Sequence, residues 1–168
     1  PLLTTVLAFS LVLVGCDDST VGPEDEPNYE VETVEDLPAD PAVNTGGGRP
    51  SGTGHYTLFD IRDQEIILSS SNTDRGDSTS TAWDLGFQSI SIVLNGGTSG
   101  PGEAAGYIAI SPFDAVTEVN TDRLSADSEE SLALGEWYNY NTETHIVTPI
   151  PGRTLVIRTA DGESYAKI

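Results

Sequence analysis

Thr154-Leu155-Val156-Ile157-Arg158-Thr159-Ala160-Asp161-Gly162-Glu163-Ser164-Tyr165-Ala166-Lys167-Ile168 decides the fold class of this chain. Two runs rich in β-branched and aromatic residues, 154–159 and 164–168, embrace Asp161-Gly162. That pair reverses antiparallel strands because glycine takes the positive φ that tight turns demand. The last run ends inside an apolar stretch at Ile168, which predicts that the natural C-terminus lies further on.

The same grammar repeats upstream. His55 to Ile61 and Glu65 to Ser69 flank Arg62-Asp63-Gln64 as a first hairpin. Thr81 to Gln88 and Ser89 to Leu94 read as a second hairpin or a kinked strand, closed by Asn95-Gly96-Gly97. Thr98 to Gly106 has no apolar periodicity and reads as a loop before a short strand, Tyr107 to Ile110. Ser111-Pro112 starts a single helical turn, and Asn120 to Glu130 is expected to be a long exposed polar loop. Trp137-Tyr138-Asn139-Tyr140-Asn141 and His145 to Thr148, joined by Thr-Glu-Thr, form a third hairpin. No repeat of fixed period occurs, which argues against a solenoid or propeller. The prediction is an all-β domain over residues 55–168: a predominantly antiparallel β-sandwich or partly open barrel with one or two short helical turns.

The N-terminal part is not fold. Val6 to Val14 is apolar but too short to span a bilayer, which takes about 20 residues, and it runs into Leu13-Val14-Gly15-Cys16. This has the form of a lipobox, so residues 1–15 are expected to be the end of a signal peptide and Cys16 the lipidated first residue of the mature protein. The chain starts at Pro1 rather than Met, so the charged beginning of that peptide is expected to be missing. The other reading of Cys16 is a buried thiol at the end of a transmembrane helix. As the sole cysteine it makes no disulfide within the chain. One acyl chain holds a protein only marginally, so stable anchoring in lipid requires two or three on Cys16. Residues 17–54 are acidic, rich in proline and glycine and poor in large apolar residues, which predicts a disordered tether.

Twenty-seven acidic residues against seven basic ones leave a formal net charge of −20. Such a chain repels nucleic acid and anionic membrane surfaces. Its only lysine is Lys167, and an acid-rich, lysine-poor surface is what keeps a protein hydrated in brine, as expected of a marine or halophilic source.

Enzyme motifs are absent: there is no GxSxG elbow, phosphate loop or HExxH. Two histidines, His55 and His145, make a conventional zinc site improbable. Asp74 with Asp77, and Asp122 with Asp127 and Glu129, are acidic enough for calcium but lack EF-hand spacing, and solvated loops are the better reading. Trp83 and Trp137 read as core anchors, Asp84 as a bond to turn amides. His145 reads as a strand-start imidazole bonded to a neighbouring backbone carbonyl.

Ala82-Trp83-Asp84-Leu85-Gly86-Phe87 followed by Leu94-Asn95-Gly96-Gly97-Thr98-Ser99-Gly100 resembles the WDxxF...LNGG signature of the HmuY family of lipoproteins. Gly135 to Tyr140 and Leu155 to Lys167 are similar to the family's closing section, in the same order. The resemblance implies a β domain at the outer membrane or cell surface of Bacteroidota-like bacteria, binding haem or a related tetrapyrrole and passing it to a TonB-dependent receptor, with no catalytic role. Asp17 and Asp18 after Cys16 resemble the surface-export signals of such bacteria. Family members hold iron with two histidines or two methionines. This chain has no methionine, and Asn141 and Thr142 stand where a haem-binding histidine would follow Trp137. Its candidates are therefore His145, Tyr138 and Tyr140, with His55 more remote; tyrosine is a known haem ligand. The alternative is a non-haem accessory or interaction lipoprotein with the same fold. A calcium- or glycan-binding module rests only on acidic loops and exposed aromatics.

Overall fold

The structure, a computed structural model, describes residues 31–40, 54–71 and 76–168. Cys16, the apolar run 6–14 and Asp74 lie outside the described residues, as does most of the expected tether. The folded unit is Glu32–Ile168.

Nine strands form in the expected places, and every pairing between them is antiparallel. β1 (Thr57–Asp60), β2 (Glu65–Leu68), β3 (Leu85–Gln88) and β4 (Ser91–Leu94) make a sheet of order β2-β1-β3-β4. β5 (Ala105–Ala109), β8 (Thr154–Arg158) and β9 (Tyr165–Lys167) make a second, and β6 (Tyr138–Asn141) with β7 (Ile146–Pro149) a two-stranded ribbon. The helical content among the described residues is three 3-10 turns, Gly76–Thr79, Phe113–Ala115 and Thr121–Arg123.

Strand alternation explains how the two larger sheets meet. Leu85 on β3, Ile92 and Leu94 on β4, and Leu155 and Ile157 on β8 share one buried cluster with Leu134. Each such side chain contributes about 1.5–3 kcal/mol relative to exposure. On β4 the intervening Val93 points the other way, joining Leu58, Leu68 and Trp83. On β8 the intervening Val156 packs with Tyr107 and Ala109 of β5 under Val116, Val119 and Leu124. Each sheet is thus covered on its second face by its own connecting segment.

Four sequence expectations change. Thr81 to Asp84 is not strand, because Trp83 and Asp84 turn inward as anchors. β5 begins at Ala105 rather than Tyr107, since small Ala105 and Gly106 fit opposite Arg158 and Ile157 of β8. The segment 120–130 is not a free loop: it carries the Thr121–Arg123 turn, bridges Gly97 and Gly106 through Asp127 and Ser125, and buries Asp127. Within the tether, residues 31–36 are exposed and irregular, but Asp40 is buried and accepts a bond from Gly54 N at 2.8 Å, while Ser89 N donates to Ala39 O.

Among the described residues Arg62 pairs with both Asp60 and Asp161, and with 27 acidic residues against seven basic ones in the chain the carboxylates far outnumber the cations and repel one another. Salt screens such repulsion, the Debye length falling from about 10 Å at 0.1 M to about 3 Å at 1 M. Thermal unfolding in this range is expected to shift upward by about 5 °C in sodium chloride. A flat melting temperature would show that the acidic surface stores no repulsion.

Candidate functional site

The residues of the WDxxF...LNGG-like stretch are committed to holding the fold. Trp83 is 2 % exposed in the cluster with Leu58, Leu68 and Val93, and its Nε1–H has no partner. Asp84 is buried and accepts two backbone bonds, from Ile61 N at 2.9 Å and Ala160 N at 2.6 Å. It thereby ties the end of β1 to the turn after β8, as expected for a bond to turn amides. Burial pushes its carboxyl above the ordinary aspartate range, and Asp60 adds to this. The amides of Ala160 and Ile61, and Arg62, pull the other way.

Asn95 is fully buried. Its side-chain amide donates to Trp83 O at 2.7 Å and Ser80 O at 3.0 Å, and its Oδ1 accepts from Gly102 N at 3.0 Å. Gly97 has φ +63, the turn geometry expected of this pair of glycines. Asp127 accepts from Leu94 N at 2.8 Å and Ala133 N at 2.9 Å. Both its oxygens face backbone amides, so it does not form a calcium loop with Asp122 and Glu129. Among the described residues no group of three or more His, Cys, Asp or Glu side chains is placed to hold a metal ion.

The exposed chemistry lies in the β6–β7 ribbon. Its register pairs Tyr138 with Pro149 and Tyr140 with Val147 on one face, and Asn139 with Thr148 and Asn141 with Ile146 on the other. Trp137 roots the ribbon in the main core: it packs there, donates from Nε1 to Ile90 O at 2.9 Å, and its carbonyl accepts from Ile150 N. Its ring lies 5.2 Å from that of Tyr138, tilted by 59°.

At the tip, Asn141 Oδ1 accepts from Glu143 N and Thr144 N, and Asn141 O accepts from His145 N. The turn holds His145 at φ +58, in the left-handed region that histidine, asparagine and aspartate enter more readily than other side-chain-bearing residues. The imidazole is thereby brought back over the strand, with Nδ1 2.6 Å from Tyr140 Oη. Both side chains are exposed. Three of the four candidate residues thus fall on one hairpin: Tyr138 half-buried at its base, Tyr140 and His145 in contact at its tip. His55 lies half-buried just before β1.

No family model matches this chain, and no curated protein matches it. The geometry of the ribbon is therefore the ground on which a function is argued. A shallow depression on the ribbon is lined by Asn139, Tyr140, Asn141, Thr144, Ile146 and Thr148, so that amides and hydroxyls surround the Tyr140 phenol. Sequence reading placed the candidates but not the Tyr140–His145 contact, which depends on the turn geometry. It also missed the buried role of Asp127, which nothing in the run Ser125-Ala126-Asp127-Ser128-Glu129 distinguishes.

Proposed function

We propose that this protein is an HmuY-like lipoprotein, anchored in the outer membrane through an acylated Cys16, that binds haem or a related tetrapyrrole and passes it to a TonB-dependent receptor. The observation that carries the reading is the Tyr140–His145 pair: an oxygen donor and a nitrogen donor 2.6 Å apart, exposed on a ribbon rooted in the core. Tyr138, Val147 and Pro149 on the same face supply apolar surface for a flat macrocycle. An exposed site suits transfer, because a receptor reaches the iron without unfolding the carrier.

Titration of the 168-residue chain with ferric haem is expected to give a saturable one-to-one shift of the Soret band. A featureless titration of folded protein would overturn the haem reading. It would leave the second one, an accessory lipoprotein that binds a protein partner. That second reading is favoured by Tyr140 and Ile146, half exposed on opposite faces of the ribbon.

A further inference from the structure

We propose that one end of the folded unit rests on the surface of the bilayer that holds the acylated Cys16, through an apolar tip of Ile110, Pro112 and Phe113 with Lys167 and Arg153 beside it. The inference goes beyond haem binding and rests only on the anchored reading above.

Hydrogen bonds between the two larger sheets define the two ends of the unit Glu32–Ile168. At one end Asp84 ties the turn after β1 to Ala160 after β8, and Ala160 O accepts from Glu103 N just before β5. At the other end the tie is made around Trp137. Its indole donates to Ile90 O in the β3–β4 turn, and the carbonyl of its neighbour Glu136 accepts from the Arg153 guanidinium just before β8. The antiparallel register sets Ala109, the last residue of β5, opposite Thr154, the first of β8. Ile110 and Ser111 therefore leave the sheet at this second end, where Thr154 Oγ1 donates to Ser111 O at 2.9 Å. The chain also enters the unit here: Ser89 N, in the same β3–β4 turn, donates to Ala39 O, and residues 37–40 are half-buried or buried while 31–36 are exposed. Whatever holds the chain at Cys16 thus pulls on the end that carries Ile110.

Ile110 is 85 % exposed, the highest value among the large apolar side chains of the described residues. It belongs to a segment that is firmly held. Ala115 N and Val116 N close the turn onto Pro112 O and Phe113 O, and Lys167 Nζ donates to Phe113 O and Val116 O, both at 2.9 Å, while lying 4.3 Å from the centre of the Phe113 ring. Single exposed apolar residues are ordinary on any surface. Here three stand within four positions on one fixed turn, next to a fixed ammonium group. Insertion among lipid headgroups removes such side chains from water and sets the cation at the level of the phosphates, its stem along the apolar surface.

The charge distribution gives the same direction. At the opposite end Asp60, Asp63, Glu65, Glu103, Asp161 and Glu163 outnumber Arg62 and Arg158. Around the tip, Lys167 and Arg153 stand against Asp114 and Glu136. The acid-rich end keeps its hydration by facing water, and the tip meets a zwitterionic surface, since a net charge of −20 opposes approach to an anionic one. A bilayer is the occupant because the anchor keeps it in reach: Cys16 and Leu37 are 21 residues apart, a span of at most about 75 Å. Tethering at that range populates a contact too weak to form between free partners.

The test couples the 168-residue chain through Cys16, its only cysteine, to a maleimide lipid in phosphatidylcholine vesicles, made with or without brominated acyl chains. Ile110→Trp and Asp63→Trp place an indole at the tip and at the opposite end; both positions are exposed, and circular dichroism checks folding. Brominated lipid is expected to quench the indole at position 110 well beyond the quenching of the parent protein, whose Trp83 and Trp137 pack in the core, and to leave the one at position 63 at the parent level. Adding Ile110→Asp to a Phe113→Trp probe is expected to lower the ratio of docked to undocked protein about 10–100-fold, the effect of one isoleucine returned to water. Equal quenching at positions 110 and 63, or none at either, would overturn the proposal. So would an uncoupled parent protein that sediments as a dimer and is split by Ile110→Asp, because the tip would then be covered by a second copy. Chemical coupling makes these outcomes independent of acylation. Fatty-acid labelling of the chain in a bacterial host, lost in Cys16→Ser, tests the anchor by itself, and absence of label is the separate failure of the anchored reading.

Discussion

Asp84→Asn lowers the free energy of unfolding by about 2–3 kcal/mol, the cost of setting an amide donor against a buried backbone N–H. Asp84 uses both oxygens, one for Ile61 N and one for Ala160 N. Asparagine keeps one acceptor and turns an NH₂ toward the other amide, so the link between β1 and the turn after β8 is half lost. The size of the loss depends on pH in a definite direction. Burial raises the Asp84 carboxyl above its ordinary value of 3.8. Between that value and the higher folded one, the folded protein holds a proton that the unfolded chain has released. The Asp84 contribution is therefore complete below the ordinary value and declines as pH rises through the folded one. Asparagine does not titrate, so the gap between parent and variant narrows with rising pH. Urea unfolding of both proteins at a series of pH values measures this; a gap that widens toward neutral pH would mean that the two amides stabilise the anion more than burial penalises it.

The second large effect is expected at Gly96. A Cβ built there overlaps the carbonyl oxygen of Ala104, whose own N–H is bonded to Asn95 O. The obstruction is backbone on both sides, held by the Gly96–Glu103 bridge, and cannot rotate away as a side chain does. Gly96→Ala is expected to cost about 3 kcal/mol, the upper part of the range for overpacking. Gly152→Ala is the control. It has φ +73 but nothing within 4 Å of an added Cβ, so only the backbone cost of about 1–2 kcal/mol applies. Thermal unfolding of the two variants separates the causes: Gly96 has no positive φ, so a loss there no larger than at Gly152 would show that the Ala104 backbone gives way to the added Cβ.

These effects fall on residues of the stretch that resembles the HmuY signature, and they give that stretch a physical meaning. Trp83, Asp84, Asn95 and Gly96 form a joint at which β3, β4, the loop 98–104 and the turn after β8 are fastened together. A joint of this kind serves any ligand or none. The signature therefore speaks for the fold, and the function has to be argued from the ribbon.

Local chemistry was enough to determine the strand inventory. Alternation of apolar residues, Asp161-Gly162 and the short polar turns specify antiparallel hairpins, because the side-chain period of a strand and the backbone needs of a turn are properties of a few neighbouring residues. The same reasoning placed Trp83 in the core, gave Asp84 to turn amides, and gathered Tyr138, Tyr140 and His145 on one hairpin. What it did not reach depends on partners distant in the chain. Asp127 looks like any acid in a polar run until Leu94 and Ala133 bring their amides to it. Asp40 reads as tether until Gly54 returns beside it. The Tyr140–His145 contact needs the backbone turn at φ +58, which the bonds that Asn141 offers across the turn hold in place. Sequence alone determined which strands and turns form; only the tertiary structure decided which polar groups meet, because a hydrogen bond requires a distance and a direction that no spacing along the chain supplies.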